Sequence, residues 1–514
     1  MSFTSENNKR IAKNTLLLYF RMLLTMAISL YTSRVVLNTL GVEDFGIFNV
    51  VGGVIAMLGF LNSSLSGASS RFITYELGKG NSGNIKKMFS TILCIHFILA
   101  IIIFVIGESV GLWFIYNKLV IPAERMNAAL WVYHCSIFTA IISIISVPYN
   151  SLIIAHEKMN AFAYISIIEV TLKLLIVCLL SFLSFDKLII YAILLLFLQF
   201  FIRILYNHYC TKHFTESRTL PAYHPKQMKE IFIYAGWTIN GNLAVVGYTQ
   251  GINILLNMFF GPLVNAARGI AVQVQHAIMS FVVNFQTAIR PQIIKSYANH
   301  DLRYMHTLII ASSKYGVYLM MFISFPLLLC IQPVLKLWLG LVPEHTSSFV
   351  YIILLTGLLQ PLSAALIISI HATGDLRKFQ LFEGTSLLTV IPISYFLLKV
   401  YHISPEMVMI TYLCIEFFTQ WIRIWIVLPK INMSYFYYIR KAIIPLLLPL
   451  LTMLSSLAYI KIHDNISIGQ LIIFAILGCL YMTLCIYLFG LNKKERNYIH
   501  KYIKMSALKI IKQQ

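Results

Sequence analysis

Charged side chains are scarce in this 514-residue chain, and acidic ones are the scarcest. Asp, Glu, Lys and Arg make up 11% of the residues, and only 19 residues are acidic. Soluble domains carry roughly 25% charged residues. With 59% hydrophobic residues and a mean hydropathy of +0.78, the chain has too little polar material for a water-facing shell. This composition excludes a soluble enzyme, a disordered chain, a secreted disulfide scaffold and a nucleic-acid-binding domain, and it predicts an integral membrane protein.

Several motifs that carry chemistry are also missing. The eight cysteines are scattered through apolar segments without a Cys-x-x-Cys pair, so we expect core thiols and no metal site. No Gly-x-x-x-x-Gly-Lys-[Ser/Thr] loop occurs, which excludes a built-in nucleotide-driven motor. The first apolar run is long and contains Arg21 and Arg34, so we predict a permanent span and not a cleaved signal peptide. We expect no cofactor and no enzymatic activity.

Long apolar stretches are the main positive feature. A helix crosses the hydrocarbon layer with about 20 residues, whereas barrel strands are about ten residues long and alternate in polarity. The chain is therefore predicted to be an all-α integral membrane protein with about fourteen transmembrane helices. The predicted segments are 14–36, 45–66, 88–107, 127–147, 161–183, 188–208, 230–251, 264–289, 307–331, 349–370, 379–398, 408–428, 442–460 and 467–490.

Lys and Arg are distributed unevenly between the connections of these segments. The alternate segments that begin with the N-terminus hold 26 of them, and the other connections hold six, whereas acidic residues divide eight and eight. This is the positive-inside pattern, which places both termini in the cytoplasm. The basic tail is expected to lie against anionic lipid.

The two halves of the chain resemble each other. Residues Lys9–Gly41 align without a gap on Lys229–Gly261, and both copies end a span of about 28 residues with a glycine. Six spans per copy give both copies the same orientation, and such parallel lobes commonly rock about a shared central site. The predicted organisation is an N-lobe at 1–208, a cytoplasmic linker at 209–229, a C-lobe at 230–428, two extra C-terminal helices at 429–490 and a basic cytoplasmic tail at 491–514.

Four groups of short motifs carry a family resemblance. They are Leu40-Gly41-Val42-Glu43-Asp44-Phe45-Gly46-Ile47-Phe48; Ser70-Arg71-Phe72 with Leu77-Gly78; Pro291 with Tyr297-Ala298; and Leu337-Trp338-Leu339-Gly340 with Pro343. Together with the six-six-two layout, they make the chain similar to polysaccharide or O-antigen transporters. These are the Wzx-type flippases of the multidrug/oligosaccharidyl-lipid/polysaccharide exporter (MOP) superfamily. The resemblance covers about 1–430 well, and the last two spans only by count.

The resemblance implies a MATE-like fold in which two lobes face a central cavity and open alternately to the two sides. It also implies a substrate made of glycan joined to undecaprenyl diphosphate, used for O-antigen and lipopolysaccharide, capsule or exopolysaccharide. The expected location is the bacterial cytoplasmic (inner) membrane. The expected partners are this lipid-linked glycan, membrane lipid and glycan-assembly proteins, and no nucleic acid.

Ionisable residues inside the predicted spans point to an anionic ligand. Eight are cations and three are acids, which leaves a surplus of five positive charges, when Arg290 at the end of its span is included and Glu230 at the start of its span is assigned to the preceding connection. Each costs several kcal/mol at mid-bilayer unless it is paired or hydrated, and a diphosphate suits the forked donors of arginine. The eleven residues are Arg21, Arg34, Glu169, Lys173, Arg203, Arg268, Arg290, Lys314, Glu383, Glu416 and Arg423.

Helical spacing selects the residues expected to line the cavity. At 100° per residue, Arg268, Gln275 and Gln286 lie on one side of the eighth span, and polar residues share one side of the seventh. The predicted diphosphate- and glycan-binding residues are Arg21, Arg268, Lys314, Gln275, Gln286, Asn242 and Asn253. Secondary cavity or interface cations are Arg34, Arg290 and Arg203. Interhelical hydrogen bonding stays an alternative role for Arg21 and Arg268.

The three acids inside the spans, Glu416, Glu169 and Glu383, are the candidates for ion coupling. A purely structural role is the alternative, because Glu169 is spaced i, i+4 from Lys173 and Glu416 shares a helix face with Arg423. Three other functions stay open. An exporter of small cationic drugs is disfavoured by the positive surplus. A membrane glycan polymerase or glycosyltransferase is disfavoured by short outside loops, and a receptor or scaffold explains neither the repeat nor the buried cations.

Overall fold

A computed structural model describes residues 2–56, 59–80, 84–118, 121–180, 185–260, 262–339, 342–459, 467–497 and 500. The side chains of some further residues within helices, among them Arg34, lie outside the described part. Within these ranges the regular elements are helices and no strand occurs, which confirms the all-α prediction.

Nineteen α-helices follow one another in the described ranges, with short π-helical segments at Gly107–Gly111, Ile439–Ile443 and Ile486–Gly490. They are α1 (Ser2–Ala56), α2 (Gly59–Gly78), α3 (Ile85–Ile106), α4 (Leu112–Lys118), α5 (Met126–Ala155), α6 (Met159–Leu180), α7 (Lys187–His213), α8 (Pro225–Phe260), α9 (Pro262–Ala298), α10 (Leu302–Leu329), α11 (Ile331–Leu339), α12 (Thr346–Gly357), α13 (Gln360–Thr373), α14 (Arg377–Leu388), α15 (Val390–Tyr401), α16 (Pro405–Lys430), α17 (Tyr435–Tyr438), α18 (Ile444–Tyr459) and α19 (Ile468–Cys485).

The chain divides into two compact units. The first comprises Met1–Leu243, Thr287–Asp301 and His371–Gln380, and within it α5 packs against α2, α3 and α7. The second comprises Ala244–Gln286, Leu302–Ile370 and Leu381–Gln514, and within it α10 packs against α18 and α19. The predicted division into lobes at a 209–229 linker stays a prediction; in the structure α7 ends at His213 and α8 begins at Pro225.

Twelve segments of the described residues are long and apolar enough to cross a membrane, so the chain is a multi-pass membrane protein. The predicted spans at 45–66 and 264–289 are not among them, and the total of fourteen stays a prediction. Helix α9, which covers 264–289, carries the polar stripe from Arg268 to Arg290, whereas the predicted span 45–66 crosses residues 57–58, which lie outside the described part.

Helix α1 differs from its predicted boundaries. A connection was expected between the spans 14–36 and 45–66, yet one helix runs from Ser2 to Ala56. The expected break rested on the glycines of the Leu40–Phe48 motif. A glycine in a helix costs only about 1 kcal/mol, and no proline interrupts the segment. Glycine alone was therefore too weak a signal for a helix end.

An ion-pair cluster ties this motif to two other connections of the first unit. Asp44 accepts hydrogen bonds from Arg125 Nε and Nη2 at 2.8 and 2.6 Å, and Asp186 accepts from Arg125 Nη1 at 2.6 Å. Asp186 also caps α7 by accepting from the amides of Leu188 and Ile189. The hydrogen bond from Arg125 holds the pKa of Asp186 below its ordinary value. The conformation of the motif is thus supported by a charge network, not only by glycine.

The π-helical segment between α3 and α4 packs against a tyrosine of α5. Tyr133 on α5 donates to the carbonyl oxygen of Gly107 at 2.6 Å, at the start of the π-helical segment. A Cβ atom on Gly111 would lie 1.9 Å from the Tyr133 hydroxyl oxygen. Glycine at 111 therefore makes room for the phenol, and the π-helical segment brings a carbonyl to it.

Candidate functional site

Arg268 lies near the start of α9 and is 5% exposed. One terminal nitrogen, Nη1, donates to Asn253 Oδ1 on α8, a neutral partner. The phenols of Tyr248 and Tyr412, whose oxygens are 3.1 Å apart, interact with it electrostatically. Its Nε is buried without a hydrogen-bond partner. In the part of the chain that the structure describes, no carboxylate lies within ion-pair distance of this guanidinium.

The other predicted polar residues of α8 and α9 occupy separate environments. Gln286 is buried and donates to the carbonyl oxygen of Pro361 at 2.9 Å, which ties α9 to α13. Gln275 is partly buried and lies close to Gly357, where α12 ends. Asn242 is partly buried on the portion of α8 that belongs to the first unit. The structure therefore brings Arg268 together with Asn253, while both glutamines contact neighbouring helices of the second unit.

Arg423 on α16 is the centre of a buried ionic network. Its Nε donates to Glu383 on α14 at 2.6 Å, and its Nη1 donates to Glu416 at 2.6 Å. Ser363 and Gln420 complete the network; the hydroxyl of Ser363 accepts from Arg423 at 2.7 Å and donates to the Gln420 amide oxygen at 2.8 Å. Two carboxylates thus share one guanidinium, which leaves a formal charge of −1 when both are ionised.

Two further cations of the spans have acidic partners. Lys173 donates to Glu169 at 2.6 Å, the i, i+4 contact that the sequence predicted. Lys314 is buried and forms an ion pair with Glu495, which lies 181 residues farther along the chain. In the sequence, Lys314 has no acidic partner within the predicted spans. Glu495 lies outside those spans, and only the tertiary fold brings it to Lys314.

The remaining arginines of the predicted spans pack mainly against aromatic rings or small residues. The Arg21 guanidinium is 4.6 Å from the centre of the Phe162 ring, and that of Arg203 is 4.0 Å from the Tyr149 ring. Arg290 lies next to Gly67, the Nη2 atom being 3.7 Å from the position of a Cβ there. The side chain of Arg34 lies outside the described residues.

Arg71 is a buried cation that the predicted spans did not include. It follows the predicted second span and donates to the carbonyl oxygens of His371 and Ala372 in the last turn of α13, at 3.0 and 3.3 Å. Its guanidinium also lies over the rings of Phe72 and Tyr75. Cations stabilise the carbonyl end of a helix, and no local signal in the sequence identifies a helix end 300 residues away.

A second missed contact is centred on Glu157, which has a positive φ of 59°. Its carboxylate is buried and accepts from Gln292 Nε2 and Lys295 Nζ on α9, both at 2.7 Å. Gly78 of α2 is also close to this part of α9, because a Cβ atom there would lie 2.6 Å from the Ala298 Cβ. The Leu77-Gly78 motif is thus explained by close helix packing within the first unit.

The cations of the spans can now be sorted by their partners. The three intramembrane acids neutralise Lys173 and Arg423, and Glu495 neutralises Lys314. The cations for which the described residues offer no carboxylate within ion-pair distance are Arg203, Arg268 and Arg290. Arg268 alone among these three combines burial with a hydrogen bond to a predicted cavity residue.

Solved structures with a similar fold are transporters. One is an outward-facing multidrug resistance MATE family transporter of the MOP superfamily, with 14% identity, coverage of 83% of this chain and 96% of that chain, and a TM-score of 0.71. Another is a MOP superfamily transporter from Pyrococcus furiosus, for which the reverse polarity of the binding pocket suggests a different function (14% identity, 82% and 96% coverage, TM-score 0.65). A third is the Vibrio cholerae MATE transporter VcmN in the bent form (15% identity, 85% and 100% coverage, TM-score 0.67). At these identities the likeness shows the fold, and it confirms the MATE-like prediction.

Sequence comparison identifies the family. No curated protein matches the chain. The sequence profile described as polysaccharide biosynthesis protein matches residues 11–297, which include the Leu40–Phe48 motif, the Ser70–Phe72 motif and Arg268. Because these residues make up more than half of the 514, the chain belongs to the polysaccharide biosynthesis protein family.

Proposed function

We propose that the chain is a flippase for a polyprenyl-diphosphate-linked oligosaccharide. It moves a repeat unit of O-antigen, capsule or exopolysaccharide from the inner to the outer leaflet of the bacterial cytoplasmic membrane. Membership of a polysaccharide biosynthesis family and a fold shared with transporters support this proposal. Both termini are cytoplasmic in this proposal, as the distribution of Lys and Arg predicts. No covalent bond is broken, so the residues bind and release substrate and none is catalytic.

The observation that carries the proposal is the environment of Arg268. A guanidinium that is 5% exposed within a membrane protein is costly unless an anion or water accompanies it. Arg423, Lys314 and Lys173 have carboxylate partners, whereas the described neighbours of Arg268 are an amide and two phenols. A diphosphate supplies the missing anion, and the forked donors of arginine bind phosphate oxygens in pairs.

The other predicted residues take supporting roles in this proposal. Asn253 positions the Arg268 guanidinium, and the amides of Gln275, Gln286 and Asn242 are donors and acceptors suited to sugar hydroxyls. Arg21 is proposed as the corresponding diphosphate ligand of the first span. Secondary cations are Arg290, Arg203 and Arg34. Lys314 contributes only when Glu495 releases it.

Energy coupling is proposed at Glu383 and Glu416. These two buried carboxylates share Arg423, and a proton on one of them would make the network neutral. Exchange of that proton between the two sides of the membrane would couple transport to the proton gradient. Glu169 is less suited, because Lys173 already neutralises it.

A small-molecule exporter is the rival function, since the fold is also that of MATE transporters. An exporter of cationic drugs needs a surplus of acids at its binding site. Here the intramembrane acids are engaged by cations, and the residues left without a carboxylate partner in the described part are arginines. For the similar transporter from Pyrococcus furiosus, the reverse polarity of the binding pocket suggests a different function.

Binding of undecaprenyl diphosphate to the purified protein in nanodiscs tests the proposal. Loss of charged hydrogen bonds worth about 1.5–3 kcal/mol should weaken the affinity of Arg268→Ala by roughly 10- to 100-fold. The matched control is Arg303→Ala, which removes an exposed arginine from α10. Arg268→Ala should also fail to complement a flippase-deficient strain while it accumulates in the membrane. Wild-type affinity and full complementation by Arg268→Ala would contradict the proposal.

A further inference from the structure

An apolar groove of about 730 Å³ lies between α10 and the C-terminal end of α19 in the second unit. This volume falls within the range of roughly 300–1,000 Å³ that is typical of small-molecule sites. We call it the α10–α19 groove. Its lining includes Tyr318, Phe322, Leu480, Leu484, Tyr487 and His500.

The rim of the α10–α19 groove is cationic. Arg496 donates to the carbonyl oxygens of Leu488 and Leu491 at 2.6 and 3.1 Å, and its guanidinium is 5.6 Å from the Tyr487 ring. Tyr487 in turn hydrogen-bonds to His500 Nε2 at 2.6 Å. No carboxylate among the described residues lies within ion-pair distance of Arg496. The backbone thus fixes one positive charge beside the ring that lines the groove.

The segment that carries Arg496 is held against α10 by its neighbour. Glu495 pairs with Lys314 and accepts from the Tyr315 hydroxyl at 2.9 Å. Glu495 is the only acidic residue after Gly490, and this contact neutralises its charge. The charge that remains around the groove is therefore positive. Lys493 and Lys494 of the same segment are exposed.

The chemistry of the α10–α19 groove matches a lipid of the inner leaflet. The predicted topology places the end of α19 and the basic tail at the cytoplasmic surface, where anionic lipids attract Lys and Arg. An apolar channel beside a phosphate-binding cation accommodates one acyl chain and its head group. Basic pockets between transmembrane helices on this side of a membrane are typical sites for anionic lipids.

We propose that the α10–α19 groove binds one anionic phospholipid, with an acyl chain along Tyr318 and Leu484 and the phosphate at Arg496 and His500. The single fixed guanidinium matches the single charge of a phosphodiester, whereas a polyprenyl diphosphate would leave negative charge unmatched. The groove also lies outside residues 11–297, which the family profile matches. The bound lipid would hold the tail segment against α10. This proposal does not rest on the proposed transport function.

Native mass spectrometry of protein extracted from nanodiscs of phosphatidylglycerol and phosphatidylethanolamine tests the proposal. The wild type should retain one phosphatidylglycerol. Arg496→Gln should bind phosphatidylglycerol about fivefold more weakly, which is the effect of losing one cation near the membrane surface. The matched control is Arg440→Gln, which removes another exposed arginine on the predicted cytoplasmic side. Leu484→Trp should fill the groove and abolish retention. Its control is Leu448→Trp on α18, since Leu484 and Leu448 are 55% and 54% exposed.

Three results would overturn the proposal. Equal retention of phosphatidylethanolamine would show that the rim does not select charge. Equal loss in the two control variants would show that the groove is not the site. Displacement of phosphatidylglycerol by equimolar undecaprenyl phosphate would assign the groove to a prenyl chain. Thr483→Trp, on the same lining, replaces Leu484→Trp if that variant elutes as an aggregate.

Discussion

Removal of the Arg423 charge should destabilise the protein far more than removal of either carboxylate that shares it. In Arg423→Gln, Glu383 and Glu416 stay buried without their common cation. Breaking a buried ion pair by removing one partner costs about 3–5 kcal/mol, because an uncompensated charge is left behind. Here the side chains of Glu416 and Glu383 are only 5% and 11% exposed, so solvent compensates little. We therefore expect the apparent melting temperature to fall clearly.

The neutral variants separate charge from packing. Glu383→Gln keeps an acceptor for Arg423 Nε and leaves one cation with one anion, so its stability should stay close to that of the wild type. The triple variant Arg423→Gln, Glu383→Gln, Glu416→Gln removes all three charges and should recover most of the stability lost in Arg423→Gln. Thermal melting followed by fluorescence-detected size-exclusion chromatography measures the stabilities of these variants relative to the wild type. Wild-type stability of Arg423→Gln, or a triple variant as unstable as the single one, would refute the charge balance derived from the structure.

Two other predictions concern the first unit. Gly111→Ala places a methyl group against the Tyr133 hydroxyl and should cost about 1–3 kcal/mol of stability. Tyr133→Phe removes the contacting oxygen, so the double variant should be more stable than the sum of the two single effects predicts. Additive losses of stability would contradict the clash. Because Arg125 lowers the pKa of Asp186, their ion pair contributes fully above the ordinary aspartate pKa and is lost as the pH falls through the lowered one. As the pH falls from about 6 to 3, the melting temperature of the wild type should therefore fall more than that of Asp186→Asn. An equal fall in both proteins would show that the Arg125–Asp186 ion pair does not stabilise the fold.

The local part of the architecture could be predicted from the sequence, and the long-range part could not. Apolar runs predict the helices, and the i, i+4 spacing predicts the Glu169–Lys173 contact, because both depend on neighbours within one helix. The stripe on α9 predicts the burial of Arg268 for the same reason. The ion pair between Lys314 and Glu495 joins residues 181 positions apart, so no periodicity signals it.

Helix ends and the positions of cations near them were the least predictable features. Arg71 follows the predicted second span, and no local pattern indicates that it is buried against the end of α13. Gly41 predicted the end of the first span within what is a continuous α1. In both cases the deciding energy comes from tertiary contacts, which outweigh local preferences of about 1 kcal/mol.

Translocation by the purified protein in proteoliposomes is the most direct test of the flippase proposal. The substrate is a fluorescent oligosaccharide on undecaprenyl diphosphate, and a glycosidase added outside cleaves only the molecules that have crossed. The proposal predicts that wild-type protein and Arg303→Ala expose the glycan over time, whereas Arg268→Ala leaves it protected. Protection of the glycan with wild-type protein, or equal exposure with Arg268→Ala, would contradict the proposal that Arg268 binds the diphosphate of a transported lipid-linked oligosaccharide.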